Sequence, residues 1–122
     1  MTPGYAPGRN IAMKVPAHEY ARTVAFYRDV LRLEELEGTP PSATETVRFA
    51  FGDKVLWIDR VPAMSQAEIW LEIATDDVEA AAAHLEEHGC VRRDEVEPLP
   101  SDFEGFWISS PSNIIHLVAG EG

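Results

Sequence analysis

The order of hydrophobic periodicities along this chain occurs twice, and that repetition constrains the fold more than any single motif. The first copy opens on Asn10-Ile11-Ala12-Met13-Lys14-Val15, which alternates strictly and is closed by Pro16, a residue with no N–H to donate. Tyr20, Val24, Tyr27 and Leu31 then fall at helical spacing, widened by Phe26 and Val30, which predicts a helix over about 19–31. Three short strand candidates follow at 33–37, 46–51 and 55–59, the last two rich in β-branched and aromatic residues.

The second copy keeps the same order. Residues 68–73 alternate, with Ile69, Leu71 and Ile73 on one face and Glu68, Trp70 and Glu72 on the other. Asp76 and Glu79 have the spacing of an N-cap and its partner at the third helical position, Val78, Ala81, Ala82 and Leu85 make an apolar stripe, and Gly89 stands where a left-handed residue ends a helix. Strand candidates follow near 91–96, 105–109 and 114–118. The chain therefore reads as β-α-β-β-β written twice: a loose Pro/Gly arm over 1–9, a first module over 10–60, a linker over 61–67 and a second module over 68–119. The agreement extends to detail, since Asn10 stands five residues before Val15 and Glu68 five before Ile73. An α+β fold is expected, with two βαβββ modules forming a curved mixed sheet around a cleft and a helix covering each outer face.

With 122 residues the chain has room for one domain of this kind, and a single cysteine, Cys90, rules out an internal disulfide. Twenty-one acidic against ten basic residues give a formal charge of −11, which disfavours nucleic acid and anionic membrane surfaces as partners. No apolar run approaches the ~20 residues that cross a bilayer. The N-terminal segment lacks the basic-then-apolar pattern of a secretory signal, so the expected location is cytoplasmic.

Three segments carry a family likeness. The run VAFYRDVL at 24–31, with Leu33-Glu34 after it, resembles the first-helix signature of the vicinal oxygen chelate superfamily (glyoxalase I, bleomycin and fosfomycin resistance proteins, extradiol dioxygenases). EIWLEI at 68–73 followed by DDVEAAAAHLEEHG resembles its second strand and helix, and Ser110-Pro111-Ser112-Asn113-Ile114-Ile115-His116-Leu117 resembles its closing strand. The resemblance implies a cleft that in many members holds a divalent metal on ligands from the first, fourth, fifth and last strands. Carried over by position, those ligands fall at Asn10, Trp57, Glu68 and His116. Asn10 is a poor transition-metal ligand and Trp57 is none, so a set of Asp59, Glu68 and His116 is what remains for a metal. The glycine usual after the first helix is replaced by Arg32. The resemblance also implies a homodimer.

Alternation places Asn10, Lys14, Trp57, Asp59, Glu68, Trp70 and Glu72 away from the helices. If Ile115 and Leu117 pack under a helix, His116 joins them. Asn10, Trp57, Trp70 and Glu72 are then candidate ligand-binding residues, and His116 with Glu68 a candidate acid–base pair facing each other across the cleft. The irregular stretch 98–106 suits a loop closing over such a pocket. His84 and His88 lie four apart on the second helix, a spacing able to chelate a metal, but they flank Glu86 and Glu87 and read as a surface pair. Cys90 reads as a structural thiol. The favoured reading is a small-molecule binder of bleomycin-resistance type without a tightly bound metal. The alternatives are a metal-dependent or His/Glu acid–base enzyme (lyase, isomerase or dioxygenase type), or an interaction domain whose cleft is filled by its own side chains.

Overall fold

A computed structural model describes residues 2–38 and 42–121. Its elements run β1 (Tyr5–Val15), α1 (Ala17–Ala25), β2 (Glu35–Leu36), β3 (Thr46–Phe51), β4 (Lys54–Arg60), β5 (Glu68–Thr75), α2 (Val78–Glu87), β6 (Val91–Arg92), β7 (Gly105–Ser109) and β8 (Ile115–Gly120). This is the doubled βαβββ order of an α+β fold. Two compact units divide it: Arg9–Trp70 forms one, and the segment through Gly8 with everything from Leu71 onward forms the other.

In the first unit β4 lies between β3, antiparallel to it, and β1, parallel to it, while β2 adds an outer strand on β3. The helix-side face of this sheet carries Val15, Phe49, Leu56 and Ile58, which meet Tyr20 and Val24 of α1 in a core flanked by Ile11, Met13, Tyr27, Leu33 and Val47. Phe49 and Ile58 are wholly buried, each worth roughly 1.5–3 kcal/mol of transfer free energy. Side chains alternate across a strand, so Asn10, Lys14, Thr46, Arg48, Trp57 and Asp59 all occupy the other face.

The first helix is shorter than the apolar spacing predicts. After Ala25 the backbone widens into a π-helical turn (Phe26–Val30), closed by the Leu31 N–H donating to the Phe26 carbonyl at 2.9 Å. Widening turns the stripe away from the core, and Phe26, Val30 and Leu31 end up exposed although the periodicity assigns them inward. Arg32, in the position where the family resemblance leads one to expect glycine, adopts a left-handed φ of 59°.

In the second unit β8 lies between β5, parallel to it, and β7, antiparallel to it, with β6 outermost. Ala81 of α2 packs on Phe106, Ile108 and Val118, with Ile73, Val78, Ala82, Leu85 and Cys90 around them. The N-cap of α2 is Asp77, whose Oδ1 accepts the Ala80 N–H at 3.0 Å, rather than Asp76. Asp76 instead accepts the Gly4 N–H at 2.9 Å, and the Thr75 hydroxyl donates to the Gly4 carbonyl at 2.8 Å. These bonds hold the start of the chain, and residues 5–9, expected as a loose arm, are the first part of β1. Gly8 is needed there, since a Cβ would lie 2.4 Å from the Glu72 side chain. Gly89 ends α2 at φ +87°, as its position predicts.

Candidate functional site

The face of the first unit turned away from α1 brings together most of the residues singled out by alternation. Lys14 on β1 is the register partner of Asp59 on β4, which is the partner of Thr46 on β3, so three polar side chains stand side by side across adjacent strands. Lys14 Nζ donates to Asp59 Oδ2 at 2.6 Å, and the Thr46 hydroxyl donates to Asp59 Oδ1. Lys14 is only 1% exposed and Asp59 4%. The ammonium also sits 4.3 Å from the ring centre of Trp70, where the negative face of the indole attracts it. A buried charge needs this much company to be tolerated.

The other candidates are engaged in the same way. Trp57 donates its indole N–H to Asn10 Oδ1 at 2.7 Å, and the Arg48 guanidinium lies 5.3 Å from its ring centre. Trp70 donates to Glu68 Oε1 at 3.1 Å. Trp70 is buried at 5% exposure under Lys14, whereas Trp57 is half-buried and reachable. Thr46 and Arg48 were not among the residues picked from sequence, although their alternation with Val47 and Phe49 marks the face they occupy.

This donor set does not fit a divalent cation. Both oxygens of Asp59 are taken, one by an ammonium and one by a hydroxyl; the Asn10 carbonyl serves Trp57, and a Glu68 oxygen serves Trp70. Among the described residues no group of three or more His, Cys, Asp or Glu side chains converges to hold a metal.

On β8 the structure reverses the expected orientation. Ile108 on β7 and Leu71 on β5 are the register partners of His116, as Phe106 and Ile73 are of Val118. Paired residues share a face, so His116 lies on the α2 side with Val118, while Ile115 and Leu117 lie on the opposite side with Trp107 and Glu72. An acid–base pair of His116 with Glu68, or a metal held by Asp59, Glu68 and His116, requires His116 to point away from α2. The imidazole is half-buried, and its Nδ1–H donates to the Ile114 carbonyl at 3.0 Å.

Trp107, on the non-helix face of the second unit, is 5% exposed. Its indole N–H donates to the Glu97 carbonyl at 3.0 Å, its backbone N–H to Asp94 Oδ1 at 2.9 Å, and its carbonyl accepts the Arg93 N–H at 2.8 Å. These bonds pin residues 93–97 to Trp107, just ahead of the stretch 98–106 expected as a lid. Phe106, at the end of that stretch, belongs to the α2 core.

Comparison with known proteins agrees with the doubled module. A family model described as a glyoxalase-like domain matches residues 10–108, stopping short of β8 and its departures. No curated protein matches the chain. Among solved structures, the Mn(II)-bound glyoxalase from Novosphingobium aromaticivorans superposes with a TM-score of 0.68 at 23% identity, over 97% of this chain and 40% of that one. A hypothetical protein from Bacillus halodurans C-125 gives 0.65 at 13% identity, over 98% of this chain and 96% of that one. Homoprotocatechuate 2,3-dioxygenase from Arthrobacter globiformis gives 0.62 at 21%, over 98% of this chain and 37% of that one. The chain thus spans about two fifths of the length of the first and third. At these identities the likeness speaks for the fold, and the family match speaks for descent: the chain belongs to the glyoxalase-like family.

Proposed function

We propose that this chain binds a small planar organic molecule on the non-helix face of its first module, and that it does so without a metal on that face. The observation that carries the reading is the contrast between the two tryptophans of that unit. Trp70 is sealed beneath the Lys14 ammonium, while Trp57 is half-buried, oriented by its bond to Asn10 and flanked by Arg48. An aromatic surface held in place by hydrogen bonds, next to an amide and a guanidinium, offers stacking for a flat ligand and polar groups for its edge. Metal chemistry there would have to do without Asp59, whose two oxygens are held by Lys14 and Thr46, and one Glu68 oxygen is held by Trp70. Members of the superfamily that sequester organic molecules therefore supply a closer analogy than those that turn substrates over on a metal, and the analogy extends to a cytoplasmic homodimer.

Titration of untagged protein with a series of planar aromatic carboxylates and neutral aromatics, followed by tryptophan fluorescence and calorimetry, tests the reading. Saturable quenching by at least one class is expected, weakened about tenfold or more in Trp57→Leu, since one lost stacking contact of about 1.4 kcal/mol gives that factor. Binding unchanged in a folded Trp57→Leu variant would overturn the assignment of the face.

A further inference from the structure

We propose that His84, on α2 of the second unit, and His88, the residue that caps the C-terminal end of α2, form a two-imidazole binding site for a divalent first-row transition-metal cation of the copper, nickel or zinc class. The site is separate from the face assigned to the organic ligand, and it depends on none of that face's residues.

The geometry favours chelation in three ways. Residues four apart on a helix project from the same side, one turn above the other. The two imidazole rings are brought together, with centroids 4.8 Å apart at an interplanar angle of 68°. Two imidazoles bound cis to one ion, with metal–nitrogen bonds of about 2.0–2.1 Å, hold their ring centres roughly 4.5–5.2 Å apart as the angle at the metal opens from square to tetrahedral. The observed separation falls inside that interval, so little rearrangement of either ring is needed.

Second, His84 is already oriented. Its Nδ1 lies 2.8 Å from the Tyr5 hydroxyl, and the two rings stack with centroids 5.8 Å apart. The contact fixes the ring orientation, and in the tautomer whose Nδ1–H donates to the phenolic oxygen the lone pair lies on Nε2, where a metal can bind.

Third, the surroundings favour a cation. Glu86 and Glu87 lie between the two histidines in sequence, on a chain with a formal charge of −11. Borderline-soft cations choose imidazole, and their order of affinity for such nitrogen sites rises to copper(II) and falls again at zinc. Two protein nitrogens leave the remaining coordination positions to water or to a small ligand.

The test uses full-length protein without a polyhistidine tag, titrated with copper(II), nickel(II) and zinc(II) chloride by calorimetry, with electron paramagnetic resonance on the copper sample. One saturable equivalent is expected, with superhyperfine structure from two nitrogens and affinities in the order copper above nickel and zinc. His84→Ala and His88→Ala each lower affinity at least about tenfold, Tyr5→Phe lowers it about ten- to a hundredfold through loss of the orienting bond, and His18→Ala leaves it unchanged. Alanine is a better helix former than histidine, so both histidine variants keep α2, and circular dichroism confirms it. Binding that survives the double His84→Ala/His88→Ala variant, or that saturates only at millimolar metal regardless of these residues, overturns the proposal. Loss of organic-ligand binding in Trp57→Leu is read separately, so either result stands without the other.

Discussion

Replacing Lys14 by Met probes the packing of the candidate face directly. The side chain keeps nearly the same length and loses its charge, and Asp59, 4% exposed, is left with the Thr46 hydroxyl as its remaining hydrogen bond of those described here. At 2.6 Å and an effective dielectric of about 20, the attraction between the two charges is about 6 kcal/mol before desolvation is set against it. Breaking one side of such a buried pair costs about 3–5 kcal/mol, because the surviving charge has lost its counter-charge and is shielded from water. Against a total stability on the order of 5–15 kcal/mol for a domain this size, that is a large fraction. Urea unfolding followed by far-ultraviolet circular dichroism measures it, and the thermal midpoint should drop by about 10–20 °C. The double variant Lys14→Met/Asp59→Leu removes both charges and should return to within about 1 kcal/mol of the parent, with the single Thr46 hydroxyl proton turning from Asp59 to the Ile58 carbonyl 3.1 Å away. A loss below about 1 kcal/mol in the single variant is what a solvated ion pair gives, and would refute the burial argument. A double variant as unstable as the single one would show that shape, not charge, sets the cost.

Other consequences are smaller in scale. Arg32→Gly should stabilise the protein by about 0.5–1 kcal/mol in thermal unfolding, because the left-handed φ of 59° strains any residue with a Cβ. Tyr20 is 8% exposed and its hydroxyl has no protein partner among the described residues, so Tyr20→Phe should leave stability at neutral pH unchanged or raise it by up to about 1 kcal/mol. Burial, with Glu45 and then Asp59 adding to it, raises the Tyr20 pKa above 10.0. The neutral phenol is thus the form the fold favours: its contribution is intact below pH 10 and is lost as pH rises through the folded-state value. A stability–pH profile should lose part of its alkaline fall in Tyr20→Phe, and an unchanged profile would count against this placement of the phenol. Gly105→Ala should cost about 1–3 kcal/mol in urea unfolding, since its Cβ would meet the Val118 carbonyl oxygen at 2.7 Å and the Phe103 ring at 2.5 Å.

The helix-side cores were legible because their residues obey one period at a time. Ile11, Met13 and Val15 on β1, and Leu56 and Ile58 on β4, alternate with polar or bulky neighbours, and the observed registers place them under α1 as that alternation requires. Where propensity and periodicity agreed, the boundaries held closely: β3 spans Thr46–Phe51, the stretch alternation marks. Three features escaped for physical reasons. The π-helical turn after Ala25 depends on a backbone hydrogen bond that no side-chain pattern encodes. The first part of β1 and the residues before it are punctuated by Pro3, Gly4, Pro7 and Gly8, so local chemistry reads as loop although Asp76 and Thr75 hold Gly4 from 72 and 71 residues away. The ion pair of Lys14 and Asp59 was visible as two polar positions on one face, but their burial arises from neighbours on other strands.

The orientation of β8 shows how a site can be lost by one residue of register. Ile114-Ile115-His116-Leu117-Val118-Ala119 has apolar residues at both parities, so alternation alone assigns it no inner face, and the choice passes to the hairpin that pairs it with β7. That hairpin is built from Ser110 and Asn113. The Ser110 N–H donates to the Ile114 carbonyl at 2.9 Å, the Ile114 N–H donates back to Ser110 Oγ at 3.2 Å, and Asn113 takes a left-handed φ of 64°. The turn sets Ser109 opposite Ile115, and every later pair follows: Ile108 with His116, Trp107 with Leu117, Phe106 with Val118. Phe106 and Ile108 belong under α2 because the small Ala81 leaves them room, so His116 is carried to that side with them. The same step delivers Trp107, Leu117 and Ile115 to the opposite face. The non-helix face of the second module thus carries buried Trp107 and Ile115 with Leu117, and the imidazole that the family resemblance sets in a metal-binding position lies on the α2 side instead.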